Sequence, residues 1–304
     1  MTDEAGELLF SDDQAFSLLK RRIFSDRGLD CEQYKENYLK RRIAVRLRGT
    51  GARDYLDYLR ILRNDPDEYT KLMNELTINV TQFFRDTDVY TKLLDDVLPQ
   101  LVRNKTKMGS RSLRIWSAGC ASGEEPYSLA ILIDIVLGEE ARRWNVRVLG
   151  SDFDDKSLEA ARKGLYYDLE MIKGVEAARF FDVSQAPAGM QWRLKDDIKR
   201  KVRFEKVNLL AEGDARHFDM VLCRNVLIYF GRTVQTKIIE TLSQSILRDG
   251  YLILGKSETL GQEASLAFKP VFPRERIYQL ISETRGGRFG AVEKDRRAGG
   301  VTNG

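Results

Sequence analysis

Over roughly the first eighty positions apolar residues recur at intervals of three and four. Phe16, Leu19 and Ile23 follow Ser11-Asp-Asp-Gln14, whose first and last residues have the spacing of a capping box, so the pattern predicts a helix from that point. Further helices are predicted over about 31 to 48, 52 to 64 and 66 to 77, the last opening on Pro66. Another runs from about Asp88 to Val102, with Leu94, Val97, Leu98 and Leu101 on one side. Arg103 to Ser112 reads as a polar linker, and beyond it the period changes. Short apolar runs at Leu113 to Ser117, Val146 to Gly150, Val202 to Val207, Phe218 to Leu222 and Tyr251 to Leu254 read as strands. They alternate with helical stretches at Pro126 to Leu137, from Leu158, and at Val234 to Leu247, the signature of a mostly parallel sheet covered on both faces. Phe268 to Ile281, interrupted by Pro270 and Pro273, reads as a closing antiparallel hairpin. Residues 180 to 201 fit no strand-helix unit and suggest a small inserted hairpin around Trp192-Arg-Leu194. The expected organisation is an all-helical N-terminal domain over 1–80 and an α/β domain over 81–284 with its β insert near 180–201. The tail, 285–304, is expected to be disordered.

Composition narrows the class. With 304 residues, 42% hydrophobic and 32% charged, the chain is expected to be a soluble globular protein, not a disordered chain or a membrane bundle. No apolar run is long enough to span a bilayer, and the acidic start lacks the apolar core of a secretory signal, so a cytoplasmic location is expected. Cys31, Cys120 and Cys223 stand far apart with no C-x-x-C pair, which argues for reduced thiols and against a metal site. His217 is the single histidine. Triads and histidine-rich metal sites are therefore not expected, and the chemistry must manage without imidazole.

Gly119-Cys-Ala-Ser-Gly123 falls between the first strand and the first helix of the α/β region, where an open parallel sheet exposes its ligand crevice. The next strand ends at Asp152, in the position where an acid accepts hydrogen bonds from ribose hydroxyls. A bare turn explains the glycines equally well. Turn, acid and strand order together point to a nucleoside cofactor. Charge then selects among cofactors. A pyrophosphate seeks a helix N-terminus, but here Glu124-Glu125-Pro126 occupies it, and like charges at 4 Å repel by about 4 kcal/mol at an effective dielectric near 20. S-adenosylmethionine, a cation without phosphate, suits the same acids; the other reading is that both glutamates only complement the helix dipole.

Thr77-Ile-Asn-Val-Thr-Gln-Phe-Phe-Arg85, Trp116-Ser-Ala-Gly-Cys-Ala-Ser-Gly-Glu-Glu-Pro-Tyr-Ser128, Asn208-Leu209, Cys223-Arg-Asn-Val-Leu-Ile-Tyr-Phe230 and Gly255-Lys-Ser-Glu258 resemble, in this order, the chemotaxis receptor glutamate O-methyltransferases of the CheR type. The resemblance runs from about residue 15 to 282. It implies a class I methyltransferase fold, Rossmann-like, with a mostly parallel sheet and a closing antiparallel hairpin, preceded by an all-helical receptor-recognition domain and carrying a small β insert. It implies S-adenosylmethionine as donor, S-adenosylhomocysteine as product, no metal, and glutamate methyl esters on the cytoplasmic helices of methyl-accepting chemoreceptors. Cofactor contacts carry over to Asn79, Thr81, Arg85, Ala118, Glu124, Asp152, Asn208, Leu209 and Asn225, with Arg85 and Tyr229 as the catalytic pair. Departures are Ala121-Ser122 in the turn, Lys256 in place of a frequent histidine, and Gln185-Ala-Pro-Ala-Gly189 where members that dock a receptor's C-terminal peptide have a glycine-rich loop. Tethering by such a peptide is not implied.

This chemistry suits a histidine-poor chain. A glutamate side chain is ionised at neutral pH and attacks without a general base. Its reaction with a sulfonium annihilates two charges, so desolvation and alignment are the expected catalytic terms. Arg85 would orient the acceptor in a loose contact, or clamp the cofactor; Tyr229 would lie near the sulfonium, or simply pack. Cys223 has no accompanying base and is not expected to be a nucleophile. Between Lys35 and Arg53 seven basic residues face one acid, and Arg41, Arg42, Arg46 and Arg48 are the expected contacts to acidic receptor helices, a solvated charged face being the alternative. Nucleic acid binding and membrane insertion are not expected, and a monomer is. Two further readings stay open: another S-adenosylmethionine-dependent methyltransferase, against which stands the absence of an N-P-P-Y type loop, and a non-catalytic cofactor-sensing module.

Overall fold

The computed structural model describes residues 10–77, 80–187, 189–210 and 216–281. Asn79 and the tail expected at 285–304 lie outside these residues. Six helices come first: α1 (Asp12–Arg27), α2 (Glu36–Thr50), α3 (Tyr55–Asn64), α4 (Pro66–Leu76), α5 (Thr87–Lys92) and α6 (Leu98–Lys107), the last two joined by a π-helical turn at Leu93–Val97. The Ser11 hydroxyl accepts from the Gln14 N–H at 3.3 Å and the Gln14 side chain returns the bond at 3.0 Å, so the capping box forms. Phe16, Leu19 and Ile23 bury the inner face of α1 against Leu39 and Ile43 of α2 and Leu72 and Leu76 of α4. Within this layer the carboxylate of Glu68, 2% exposed, accepts from Arg46 at 2.9 and 2.6 Å and from the Tyr58 hydroxyl at 2.8 Å.

The rest alternates: β1 (Ser112–Ala118), α7 (Glu124–Leu137), β2 (Asn145–Asp152), α8 (Asp155–Lys163), β3 (Leu165–Tyr166), α9 (Ala177–Phe180), β4 (Phe181–Ala186), β5 (Gly189–Leu194), α10 (Asp196–Lys199) and β6 (Val202–Lys206). It continues through β7 (Phe218–Cys223), α11 (Arg232–Gln244), β8 (Ile246–Leu254), α12 (Gln262–Ser265), β9 (Phe268–Phe272) and β10 (Ile277–Leu280). The main sheet has the order β6-β2-β1-β7-β8-β10-β9, with the first five parallel and β10 antiparallel to both β8 and β9. Every residue of β7 is buried, as a central strand covered on both faces must be. Strand order reverses between β1 and β7, so the crevice for a ligand opens at the C-terminal ends of these two strands.

Two departures from the sequence pattern matter. The insert is a three-stranded sheet, β3-β5-β4, whose third strand comes from Leu165–Tyr166, outside the expected 180–201. The helix expected over 31 to 48 is instead a short 3-10 turn at Cys31–Gln33, two extended residues, and then α2. Tertiary pairing overrides propensity here: Lys35 N–H donates to the Tyr229 carbonyl at 3.0 Å, Gly231 N–H donates to Gln33 at 3.3 Å, and Tyr34 bridges Phe230. This seam fastens the helical layer over the C-terminal edge of the sheet. Among the described residues no helix is long and apolar enough to cross a membrane.

Candidate active site

A cavity of about 320 Å³ occupies the crevice, with the sheet as its floor and the helical layer as one wall. At the end of β1 the Gly119 and Cys120 N–H groups both donate to the Ser151 carbonyl, at 2.8 and 2.9 Å, and tie the turn to β2. Gly119 has φ +77°, and a Cβ there would stand 2.4 Å from Val226 Cγ2, so the position requires glycine on two counts. Asp152 closes β2. Its Oδ2 accepts from Ala121 N–H at 2.8 Å and its Oδ1 from Asp154 N–H at 3.0 Å, which leaves a second lone pair on each oxygen for a ligand's hydroxyls. Burial pushes its carboxyl above the usual range, and these backbone donors oppose the rise.

Sequence reasoning placed Ala118 and Glu124 against the cofactor, and neither lines the cavity. Ala118 is fully buried under the turn. The Glu124 carboxylate folds back to accept from the Ser122 hydroxyl at 2.8 and 2.9 Å. Successive helical residues point about 100° apart, so only one of the two glutamates can face the crevice, and it is Glu125. Glu125 accepts from the Ser117 hydroxyl at 2.8 Å and from Arg224 at 3.3 Å. Burial pushes its carboxyl up, and the Arg224 charge pulls it back.

The segment before α5 is hung on its aromatic pair. Phe83 and Phe84 are buried, Phe83 edge-on to Tyr166 and Phe181 and Phe84 edge-on to Tyr90, while the flanking Thr81 and Arg85 line the cavity. Arg85 donates one N–H to the Val80 carbonyl at 2.9 Å and keeps the rest of its guanidinium for other partners. Asn208, Leu209, Asn225 and Tyr229 also line the cavity. The Tyr229 ring stands 4.9 Å from Tyr38 of α2, and burial raises its phenol, which is therefore neutral at physiological pH. Asn225 has φ +60°, held by Glu258, whose carboxylate accepts from Asn225, Gly255 and Leu227 N–H groups at 3.0, 2.6 and 2.7 Å. Phe84, Asp86 and Ala121 also have positive φ, so backbone strain gathers on the segments around this cavity.

Arg224, Glu258 and the wall formed by Leu29, Asp30 and Tyr34 were not singled out from the sequence, although Arg224 and Glu258 stand inside the quoted motifs. The four arginines of α2 divide. Arg42 is paired with Glu75 at 3.0 Å and Arg46 with the buried Glu68 at 2.6 Å, so both already hold an acid of α4. Arg41 and Arg48 are exposed. His217 does not line the cavity, and burial pushes the Cys120 and Cys223 thiols well above their usual range, which makes both inert. No cluster of metal-ligating side chains occurs among the described residues.

A carboxylate-lined nucleoside cavity at the switch point of this sheet, beneath an all-helical layer, coincides with two family descriptions. The CheR methyltransferase all-alpha domain matches residues 14–77, and the CheR methyltransferase S-adenosylmethionine-binding domain matches residues 79–276. The chain belongs to the CheR methyltransferase family. This CheR-family protein is 32% identical over 258 residues to the chemotaxis protein methyltransferase of Escherichia coli K12, covering 83% of this chain and 86% of that one. It is 38% identical over 194 residues to chemotaxis protein methyltransferase 1 of Pseudomonas aeruginosa, covering 62% and 69%. It is also 34% identical over 268 residues to an uncharacterised 104.1 kDa protein of Rhodobacter capsulatus, covering 88% of this chain but 27% of that one, so it spans about a quarter of that relative's length. It is an S-adenosylmethionine-dependent methyltransferase, of class I fold with an all-helical N-terminal domain. The acids on the floor fit a cationic donor, and Glu124 and Glu125 at the start of α7 disfavour a phosphate.

Proposed function

We propose that this protein forms glutamate methyl esters on the cytoplasmic helices of methyl-accepting chemoreceptors, with Arg85 and Tyr229 as the catalytic pair. The observation that carries this reading is a cavity lined by the cations Arg85 and Arg224 and the carboxylates Asp152 and Glu125, with no histidine or lysine among the described residues of its walls. An acceptor that needed deprotonation would find in Asp152 and Glu125 only carboxylates already engaged with the donor in this reading, whereas a glutamate arrives already ionised and needs no base. The relatives named as chemotaxis methyltransferases support the receptor as substrate.

In this reading Asp152 holds the ribose hydroxyls and Glu125 the amino group of the donor, with Thr81, Asn208, Leu209 and Asn225 completing the seat and Asn79 adjoining it in sequence. The donor supplies an activated methyl on sulfur. Arg85 steers the incoming carboxylate, and its contact must stay loose, because a tight bidentate pair would stabilise the ground state and blunt attack. The neutral Tyr229 borders the reaction space and, with Tyr38 behind it, excludes water. Alignment of the reacting groups can contribute roughly 7–11 kcal/mol. Arg41 and Arg48 on the outer face of α2 meet the acidic receptor helix.

Incubation with radiolabelled S-adenosylmethionine and receptor cytoplasmic fragments, followed by alkali, tests the reading. Base-labile methyl counts that vanish with Arg85→Ala are expected. Base-stable counts would mean N-methylation, and donor binding without transfer would mean a sensor.

A further inference from the structure

Arg224 follows β7 and borders the cavity, yet its side chain is only 2% exposed and its hydrogen bonds run to the protein. Its contacts are specific. One arm of the guanidinium donates to Glu125 Oε2 at 3.3 Å. The other donates to Asp86 Oδ2 at 2.6 Å and to the Arg85 carbonyl at 3.0 Å. Its plane lies over the Tyr90 ring, 5.4 Å from the centroid. A single cation thus joins three elements: the segment carrying Arg85, the first turn of α7 and the segment carrying Asn225.

We infer that Arg224 is the positioning residue of the amino-acid end of the donor site, holding Glu125 as an oriented carboxylate while it pins the backbone of Arg85. This rests on the reading that Glu125 receives the donor's amino group. The physical case is one of charge and geometry. A carboxylate buried alone is driven toward its neutral form, and a neutral carboxyl has little attraction for an ammonium. Glu125 is faced by Arg224 and, farther off, Arg85 as cations; by the Ser117 hydroxyl on β1; and by Tyr90, Cys120 and Cys223, all of which burial keeps neutral. Asp86 shares the Arg224 charge from the far side and is itself held by Lys256 at 4.0 Å, which also pairs with Asp88 at 2.8 Å. Arg224 is therefore the adjacent cation able to keep Glu125 ionised, and Arg85 stays available for the acceptor. Lysine could supply the charge but not the fork that reaches Glu125 and the Arg85 carbonyl together.

The test separates the amino-acid end of the ligand from its nucleoside. Calorimetric titration of the full chain with S-adenosylhomocysteine and with 5′-methylthioadenosine, which has the same thioether nucleoside but no amino acid, is run across the weakly acidic to neutral range. For Arg224→Met we expect S-adenosylhomocysteine to bind at least ten-fold more weakly near neutrality, methylthioadenosine to change by less than two-fold, and the pH midpoint for S-adenosylhomocysteine binding to rise. Arg224→Lys should restore the midpoint while kcat stays low. In a Glu125→Gln background, Arg224→Met should add no further loss of discrimination between the two ligands. Equal weakening of both ligands, or an unchanged ratio and midpoint, overturns the inference. Should Arg224→Met fail to fold, Arg224→Gln carries the same comparison, and collapse of both neutral variants while Glu125→Gln keeps its discrimination also overturns it. Wild-type protein that bound the two ligands equally would overturn the assignment of Glu125 first, and this inference with it.

Discussion

Replacing Glu258 with alanine removes one acceptor from three backbone N–H groups, those of Gly255, Leu227 and Asn225, at 2.6, 2.7 and 3.0 Å. The bonds to Gly255 and Leu227 are buried, and that to Asn225 is partly so. An orphaned buried donor costs about 1–3 kcal/mol. Against this, burial pushes the Glu258 carboxyl above its usual range, so its removal recovers part of a desolvation cost. The net expectation is a loss of about 2–4 kcal/mol, read in urea as a lower midpoint with an unchanged slope. Two of these N–H groups, those of Asn225 and Leu227, belong to the segment that holds Asn225 at positive φ and carries Tyr229, so S-adenosylhomocysteine affinity should fall about ten-fold, equivalent to about 1.4 kcal/mol. Glu258→Gln should lie between, because its amide accepts through one oxygen and turns a donor toward a donor. A Glu258→Ala protein within about 0.5 kcal/mol of wild type, with undiminished ligand affinity, would refute the claim that this carboxylate shapes the site.

On α2, Arg46→Met strands the buried Glu68 and should cost about 3–5 kcal/mol by denaturant titration, whereas Arg41→Glu with Arg48→Glu should leave stability within about 0.5 kcal/mol yet slow receptor methylation; the opposite ranking would reverse their roles. Gly119→Ala, with φ +77° and Val226 at 2.4 Å, should lower the melting temperature and abolish donor binding, and a well-folded variant that binds normally would contradict the close packing of the turn. Burial raises the Glu125 and Asp152 carboxyls, so the folded chain retains protons that the unfolded chain has released. Stability of the unliganded protein should therefore fall as pH rises from about 3.8 for Asp152 and about 4.5 for Glu125 through the raised values, while the melting shift on adding S-adenosylhomocysteine grows over the same interval; a shift independent of pH would refute the linkage.

Much of this architecture is local in origin and could be read from the chain. The capping box at Ser11, the apolar spacing of Phe16, Leu19 and Ile23, and the change of period at Leu113 each depend on neighbours a few residues away, and periods of 3.6 and 2 survive in any tertiary setting. The glycine turn, the strand-terminal Asp152 and the ordered motifs of the family located the crevice for the same reason. Contacts between distant segments could not be read in this way. Whether Glu124 or Glu125 faces the cavity depends on the rotational setting of α7, fixed by Tyr127 and Ser128 packing behind it. Arg42 and Arg46 look like Arg41 and Arg48 in a basic run, and only the approach of α4, bringing Glu68 and Glu75, divides them into structural and exposed pairs. Tyr34 and Lys35 leave the helical conformation because residues nearly two hundred positions later offer backbone partners. Periodicity records which face of an element is buried; it carries no record of what that face meets, and charge pairing, burial of an acid and the closing of a cavity wall all depend on the meeting.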